Sequence, residues 1–140
     1  MAQEETIKWR DRMSNEAKPM EPAFRAVSCS GASNAGEYAD KVTRALDVAG
    51  VVNMNCLTKI AINDTALIDK YKAAPGKAIA IDGCPVHCAK KILEAAGVHG
   101  SAHATMTDMG VKKGETPVTA LVVDRIAADI TKQLAGKGVQ

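Results

Sequence analysis

Aromatic residues are scarce in this chain of 140 residues, which contains one Phe, one Trp and two Tyr. The core must therefore be built from Ala, Val, Ile, Leu and Met, which favours helices packed closely on a sheet. The scarcity also argues against nucleic-acid binding by base stacking, because that mode needs aromatic rings. A chain of this length fits one domain of ordinary size with a substantial core.

Charges of the two signs are nearly balanced, and long apolar runs are missing. The 18 basic and 16 acidic residues are interspersed and give a net charge of +2, whereas a nucleic-acid footprint needs a clustered basic face. No apolar run approaches the roughly 20 residues of a membrane span, and the charged N-terminus lacks a secretory apolar stretch. We therefore expect a cytoplasmic protein without nucleic-acid or membrane partners, in a compartment where disulfides are rare.

The first 23 residues differ in composition from the rest of the chain. They are rich in charge and include Pro19 and Pro22, which predicts an N-terminal extension over residues 1–23 that is flexible or peripherally docked. Trp9 favours docking, because a Trp side chain is usually largely buried. Residues 24–140 form the predicted folded domain. No sequence pattern identifies its protein or small-molecule partner or its oligomeric state.

The first part of that domain contains a strand–turn–helix pattern. Residues 24–29 predict a strand, and a helix follows after a short turn. Asn34 and Glu37 resemble a capping box at its start, and Gly50 marks its end. Two shorter helices are predicted next, one opened by Cys56 and one capped by Asp64.

The second part continues the alternation of strands and helices. The apolar run at residues 78–81 is typical of a central parallel strand, and residues 101–106 predict a weaker strand. Apolar residues spaced by four from Val118 to Leu134 predict a final helix, with a strand start at residues 118–123 as the alternative. The alternation predicts a single three-layer α/β domain with a short, mostly parallel sheet flanked by helices.

Four cysteines are present, and each lies at the edge of a predicted element. Cys29 ends the first predicted strand and Cys84 lies at the end of the strand at residues 78–81, so both lie at the carboxyl edge, where parallel α/β folds gather functional groups. Cys84 is predicted as the N-cap of a helix with Pro85 at its first position. This places Cys88 one turn later on the same side, and Cys56 would join them from its short helix.

Four thiolates match the closed tetrahedral shell that zinc accepts in structural sites. Helix N-termini would favour the thiolate form that zinc binding needs. The pattern therefore predicts a Zn²⁺ site. Three other interpretations stay open: the cysteines are buried packing groups, a redox dithiol or sulfur carrier, or the ligands of an iron–sulfur cluster.

Other side chains near the cysteines are auxiliary candidates. His87 could replace Cys56 as a metal ligand or relay a proton, and Asp82 could accept backbone N–H bonds. A separate candidate is the turn before the first predicted helix, whose N–H groups could bind an anion, with an ordinary capped turn as the alternative. This turn contains Ser30, Gly31, Ser33 and Asn34.

Four segments, taken in order, resemble the DGC-domain family, which is named after its Asp-Gly-Cys motif and regarded as zinc-binding. The segments are CSGASNAG at residues 29–36, CL at 56–57, IDGCPVHCAKK at 81–91 and TDMGVKK at 107–113. The resemblance covers about residues 24–113. It implies four chelating cysteines, which are Cys29, Cys56, Cys84 and Cys88.

The resemblance implies no established reaction, so whether the protein is an enzyme stays open. We expect a small cytoplasmic protein that holds one zinc ion in a mainly structural or binding role, because a closed shell leaves no coordination position for water. The alternative expectation is a thiol redox or sulfur-transfer protein that uses the same cysteines, or an iron–sulfur protein.

Overall fold

The computed structural model describes residues 24–138. The predicted extension at residues 1–23 lies outside the described residues, as do residues 139 and 140. The domain boundary drawn before residue 24 therefore stays a prediction. Among the described residues, no helix is both long and apolar enough to cross a lipid bilayer.

Strands and helices alternate along the described chain, with two short 3₁₀ turns at Pro75–Lys77 and Met106–Met109. This alternation confirms the predicted α/β class. The elements are β1 (Phe24–Ser28), α1 (Asn34–Val48), β2 (Val52–Met54), α2 (Leu57–Ala61), α3 (Thr65–Ala73), β3 (Ala78–Asp82), α4 (Cys88–Ala95), β4 (Ala102–Thr105) and α5 (Ala120–Gly138).

The strands of this region form one parallel sheet in the order β2-β1-β3-β4. Ala26 of β1 pairs with Met54 of β2 on one side and with Ile79 of β3 on the other. The carboxyl ends of β2, β1 and β3 therefore lie next to one another along one edge. The sheet is parallel as predicted, but β2 was not predicted, because three residues are too few to show a strand period.

Alternate residues of the central strands face two separate hydrophobic clusters. Ile79 and Ile81 pack with α1 and α5 on one face of the sheet. Ala78 and Ala80 pack with α2, α3 and α4 on the other. This alternation follows from the two-residue period of a strand, and it confirms the three-layer arrangement. The core residues of α5 are Val123, Ile126, Ile130 and Leu134.

The starts of α1 and α5 differ from the sequence predictions by one or two residues. Ser33, not Asn34, is the N-cap of α1, and its Oγ accepts the N–H of Gly36 at 3.1 Å. Glu37 does not complete a capping box but pairs with Lys41 at 3.0 Å. The last helix begins at residue 120, so the alternative of a strand start at residues 118–123 is wrong.

Backbone from the loop after β3 packs directly on the first turn of α1. A Cβ atom on Gly83 would lie 2.6 Å from the carbonyl carbon of Ala35, and one on Gly36 would lie 2.7 Å from the carbonyl oxygen of Gly31. Both distances are far below the ~3.5 Å of ordinary carbon contacts. The N–H of Thr107 also donates to the carbonyl of Gly83 at 3.2 Å. Backbone contacts therefore fix the strand ends against α1.

Replacing Gly83 with alanine tests this contact. The added methyl group would meet backbone rather than a movable side chain, so we expect Gly83→Ala to lower the free energy of unfolding by about 1–3 kcal/mol. Gly76→Ala is the matched control, because a Cβ atom there meets nothing within 4 Å. Urea unfolding followed by circular dichroism measures both variants. Equal unfolding midpoints for the two variants would contradict the contact.

Candidate metal centre at the carboxyl edge of the sheet

The four cysteines follow three neighbouring strands at one edge of the sheet. Cys29 comes directly after β1, and Cys56 is the second residue after β2. Cys84 is the second residue after β3, and Cys88 is the first residue of α4. All four are free thiols, with Cys56 and Cys88 exposed and the other two half-buried. Because β1 lies between β2 and β3, Cys29 is the central member of the row.

The segment from Cys84 to His87 is a turn that precedes α4. The N–H of His87 donates to the carbonyl of Cys84 at 3.1 Å. His87 itself has a left-handed backbone with φ of 57°, and α4 begins at the next residue. The prediction that Cys84 is an N-cap with Pro85 at the first helical position is therefore wrong. Cys84 and Cys88 do not share one face of a helix.

Asp82, the last residue of β3, caps α4 from across the turn. Its side chain is 1% exposed and accepts the N–H groups of Ala89 at 2.7 Å and Lys90 at 3.2 Å. His87 provides no side-chain cap of its own, so the strand residue replaces the local cap that the sequence pattern suggested. Asp82 accepts backbone N–H bonds as expected, but from donors seven and eight residues away.

Two histidines extend from the Asp82 carboxylate toward the cysteines. His103 on β4 places Nε2 2.8 Å from Asp82, and this nitrogen carries the hydrogen because a carboxylate only accepts. The ring of His87 meets the ring of His103 edge to face, with centroids 4.6 Å apart. The sequence does not predict a partner for His103, because its contacts come from β3 and from the turn before α4, which are distant from it in sequence. Asp82, His103 and His87 are therefore in contact one after the other, and His87 directly precedes Cys88 in the sequence.

Asn34 binds a loop that is distant in sequence and holds it at the carboxyl edge of the sheet. Its Nδ2 donates to the carbonyl oxygens of Lys112 at 3.0 Å and Thr116 at 2.9 Å. This loop, at residues 112–116, contains Lys113, whose Nζ lies 3.7 Å from Sγ of Cys84. A positive charge therefore stands next to one of the four thiols. The sequence analysis did not identify Lys113 as a candidate site residue. The one indication in the sequence is that Lys113 lies within residues 107–113, one of the four segments that resemble the family.

The side chains of the predicted anion-binding turn have structural partners. Ser30 donates to Asp40 at 2.8 Å, Ser33 caps α1, and Asn34 holds the loop just described. Gly31 packs its backbone on the first turn of α1. These contacts match those of an ordinary capped turn. Anion binding by its backbone N–H groups stays a prediction.

Cys56 is the N-cap residue of α2, and it is exposed at the end of the short loop that follows β2. Its sulfur makes no regular capping hydrogen bond. The backbone N–H of Lys59 nevertheless lowers the pKa of the Cys56 thiol, assisted by Thr58 and opposed by partial burial. Amide dipoles at a helix start stabilise a negative charge. The surroundings of Cys56 therefore favour the thiolate form of its side chain.

The cysteines offer zinc the right donor atoms, but they are divided between two faces of the sheet. Cys29 packs against the hydrophobic cluster between α1 and the sheet. Cys56 is the N-cap residue of α2, and Cys88 is the first residue of α4. These two helices pack against each other on the opposite face of the sheet. Within residues 24–138, no three His, Cys, Asp or Glu side chains already form a metal-binding group. A shared metal ion would therefore require the exposed thiols to move toward Cys29.

Comparison with known proteins identifies relatives of this chain. The family model of the DGC domain matches residues 26–131. A protein of Pseudomonas aeruginosa strain PAO1, described as the anaerobic and virulence modulator AnvM, is 32% identical over 98 residues, which make up 70% of this chain and 74% of the relative. No solved structure matches this chain.

The capping role of Asp82 leads to a stability prediction. Asp82→Asn keeps the shape of the side chain but replaces an acceptor oxygen with an NH₂ group that faces other donors. We expect the free energy of unfolding to fall by about 1–3 kcal/mol. The control is Asp69→Asn on the exposed side of α3, which should change stability by less than about 0.5 kcal/mol. Similar urea midpoints for the two variants would count against the cap.

The lowered pKa of Cys56 leads to a second prediction. Iodoacetamide reacts with the thiolate, so alkylation of Cys56 should rise at lower pH in the folded protein than in the chain unfolded in urea. Peptide mapping of partly alkylated protein measures the rate at Cys56 for each pH. The same pH midpoint in both states would show that the amides of α2 do not affect this thiol.

Proposed function

The chain belongs to the DGC-domain family, and from that premise we propose that it binds one zinc ion through Cys29, Cys56, Cys84 and Cys88. The observation that carries the proposal is the position of these thiols, which follow three neighbouring strands at one edge of the sheet. Zinc accepts four thiolates in a closed tetrahedral shell. Such a shell leaves no position for a reacting water molecule, so the role of the metal is structural or binding.

The spacing of the strands supports a shared ion. Neighbouring strands lie about 4.8 Å apart, and Cys29 follows the strand between the other two. A zinc–sulfur bond is about 2.3 Å long, so thiols from adjacent strand ends can reach one ion when their side chains turn toward Cys29. Cys56 and Cys88 are exposed and have room to turn. Zinc binding would therefore fix the directions of these two side chains.

The auxiliary residues have different roles in this proposal. The carboxylate of Asp82 already holds two N–H groups of α4 and the ring of His103. Asp82 therefore positions the helix that carries Cys88 and is not a ligand. His87 lies beside Cys88 and could supply a nitrogen ligand in place of Cys56.

Metal analysis of the chain purified without added metal tests the proposal. We expect about one zinc per chain, and we expect Cys29→Ser to lose both the zinc and part of the thermal stability, because metal binding stabilises the folded state. His99→Gln is the control, since it removes an exposed imidazole from the loop at the opposite edge of the sheet. A zinc-free wild-type protein, or full zinc content in Cys29→Ser, would contradict the proposal.

Thiol redox or sulfur transfer is the second candidate function. It is favoured by the exposure of Cys56 and the lowered pKa of its thiol, because the thiolate is the nucleophile in these reactions. The Pseudomonas relative is described as an anaerobic and virulence modulator, which suits an oxygen-sensitive centre such as redox thiols or an iron–sulfur cluster. Little metal, rapid alkylation and a Cys84–Cys88 disulfide after mild oxidation would assign redox thiols. Bound iron and brown colour would assign the cluster.

A further inference from the structure

A cavity of about 490 Å³ opens at the carboxyl ends of β1 and β2. Its volume falls within the ~300–1,000 Å³ of small-molecule sites and far exceeds what a metal ion occupies. A zinc site alone therefore does not account for it. Its polar and sulfur-containing walls include Ser30, Arg44, Asp47, Asn55, Cys56 and Thr58.

Two opposite charges face this cavity from α1. Arg44 pairs with Asp40 through Nε at 2.8 Å, and a guanidinium carries four further N–H donors beyond that atom. Asp47 also lines the cavity, but it is 8% exposed and its carboxylate already accepts the N–H of Met54 at 3.0 Å. Arg44 therefore has N–H donors that can bind the carboxylate of a small molecule in the cavity.

Cys56 distinguishes this cavity from the rest of the cysteine-bearing edge. Of the four cysteines, all within the described part of the chain, Cys56 alone lines it. Cys88 is also exposed but lies outside. A small molecule whose carboxylate is held by Arg44 would therefore bring its remaining atoms to the Cys56 thiol and not to the other three.

We propose that this cavity binds a low-molecular-weight disulfide that carries a carboxylate group and that this ligand undergoes thiol–disulfide exchange with Cys56. The carboxylate of the ligand binds Arg44, and the Cys56 thiolate attacks one sulfur of the ligand disulfide. The ligand S–S bond breaks, and a new S–S bond joins Cys56 to half of the ligand. The other half leaves as a thiolate and takes up the proton that Cys56 released. Cys56 is oxidised to a mixed disulfide, and half of the ligand is reduced.

This inference goes beyond the proposed metal site but shares one sulfur atom with it. A Cys56 in a mixed disulfide cannot bind zinc, and a zinc-bound Cys56 cannot attack a disulfide. The exchange is therefore measured on the full chain after metal removal, where zinc binding has no influence. The zinc content of the purified protein is a separate measurement, so either result can fail without the other.

The test compares glutathione disulfide with bis(2-hydroxyethyl) disulfide, which lacks charged groups. Intact-mass and peptide mapping follow the rate at each cysteine under fixed ionic strength. With glutathione disulfide, we expect Cys56 to react about tenfold faster than Cys88, as one charge-assisted contact would produce. Arg44→Gln should lower that rate several-fold and leave the rate with bis(2-hydroxyethyl) disulfide unchanged. The loss of the exposed Arg44–Asp40 pair should have little effect on stability.

Lys41→Gln is the matched control, because it removes one exposed positive charge from the same helix outside the cavity. It should leave both rates near those of the wild-type chain. Equal rates at Cys56 and Cys88 would overturn the proposal. So would the same loss of rate in Lys41→Gln as in Arg44→Gln, which would show only a general charge effect.

Discussion

The buried carboxylate of Asp82 joins three elements at the edge of the sheet that carries the cysteines. It ends β3, caps the first turn of α4 and bonds His103 on β4. A carboxylate that is 1% exposed is tolerated only because each of these partners replaces a lost contact with water. This side chain fixes the start of α4, and with it the position of Cys88, while the core contacts of Ala89 and Leu93 hold the rest of the helix. The turn that carries Cys84 spans the gap between the strand and the helix.

Close backbone packing fixes the other half of the edge. The loops after β1 and β3 meet on the first turn of α1, where Gly36 and Gly83 leave no space for a side chain. Asn34 adds the loop that brings Lys113 to Cys84. Cys29 and Cys84 thus lie on a rigid base, whereas Cys56 and Cys88 are exposed. Cys56 also lines the neighbouring cavity, so its thiol can serve either a shared ion or a ligand in the cavity, but not both at once.

The parts of the fold that repeat a simple period could be predicted from the sequence. The apolar run of β3 and the four-residue spacing of α5 each produced the correct element, and the α/β alternation produced the three layers. Local signals failed where the partner is distant in sequence. The cap of α4 comes from Asp82 across a turn, so the local signal of Pro85 misled. The three residues of β2 become a strand only because β1 lies beside them.

The candidate metal centre likewise has a part that could be predicted from the sequence and a part that could not. Its cysteines could be located from their positions after strands, because parallel strands end at a common edge. Their side-chain directions could not, since these depend on how α1, α2 and α4 pack around the strand ends. The contacts of Lys113 and His103 and the cavity beside Cys56 arise from tertiary packing alone. None of these features produces a residue spacing that can be recognised within one segment of the sequence.

X-ray absorption spectroscopy at the zinc edge tests the central claim most directly, because it counts the atoms bound to the metal. The purified protein should give a shell of four sulfur atoms at about 2.3 Å. A shell dominated by nitrogen or oxygen atoms, or a protein without a zinc signal, would show that these four thiols do not meet around a common ion.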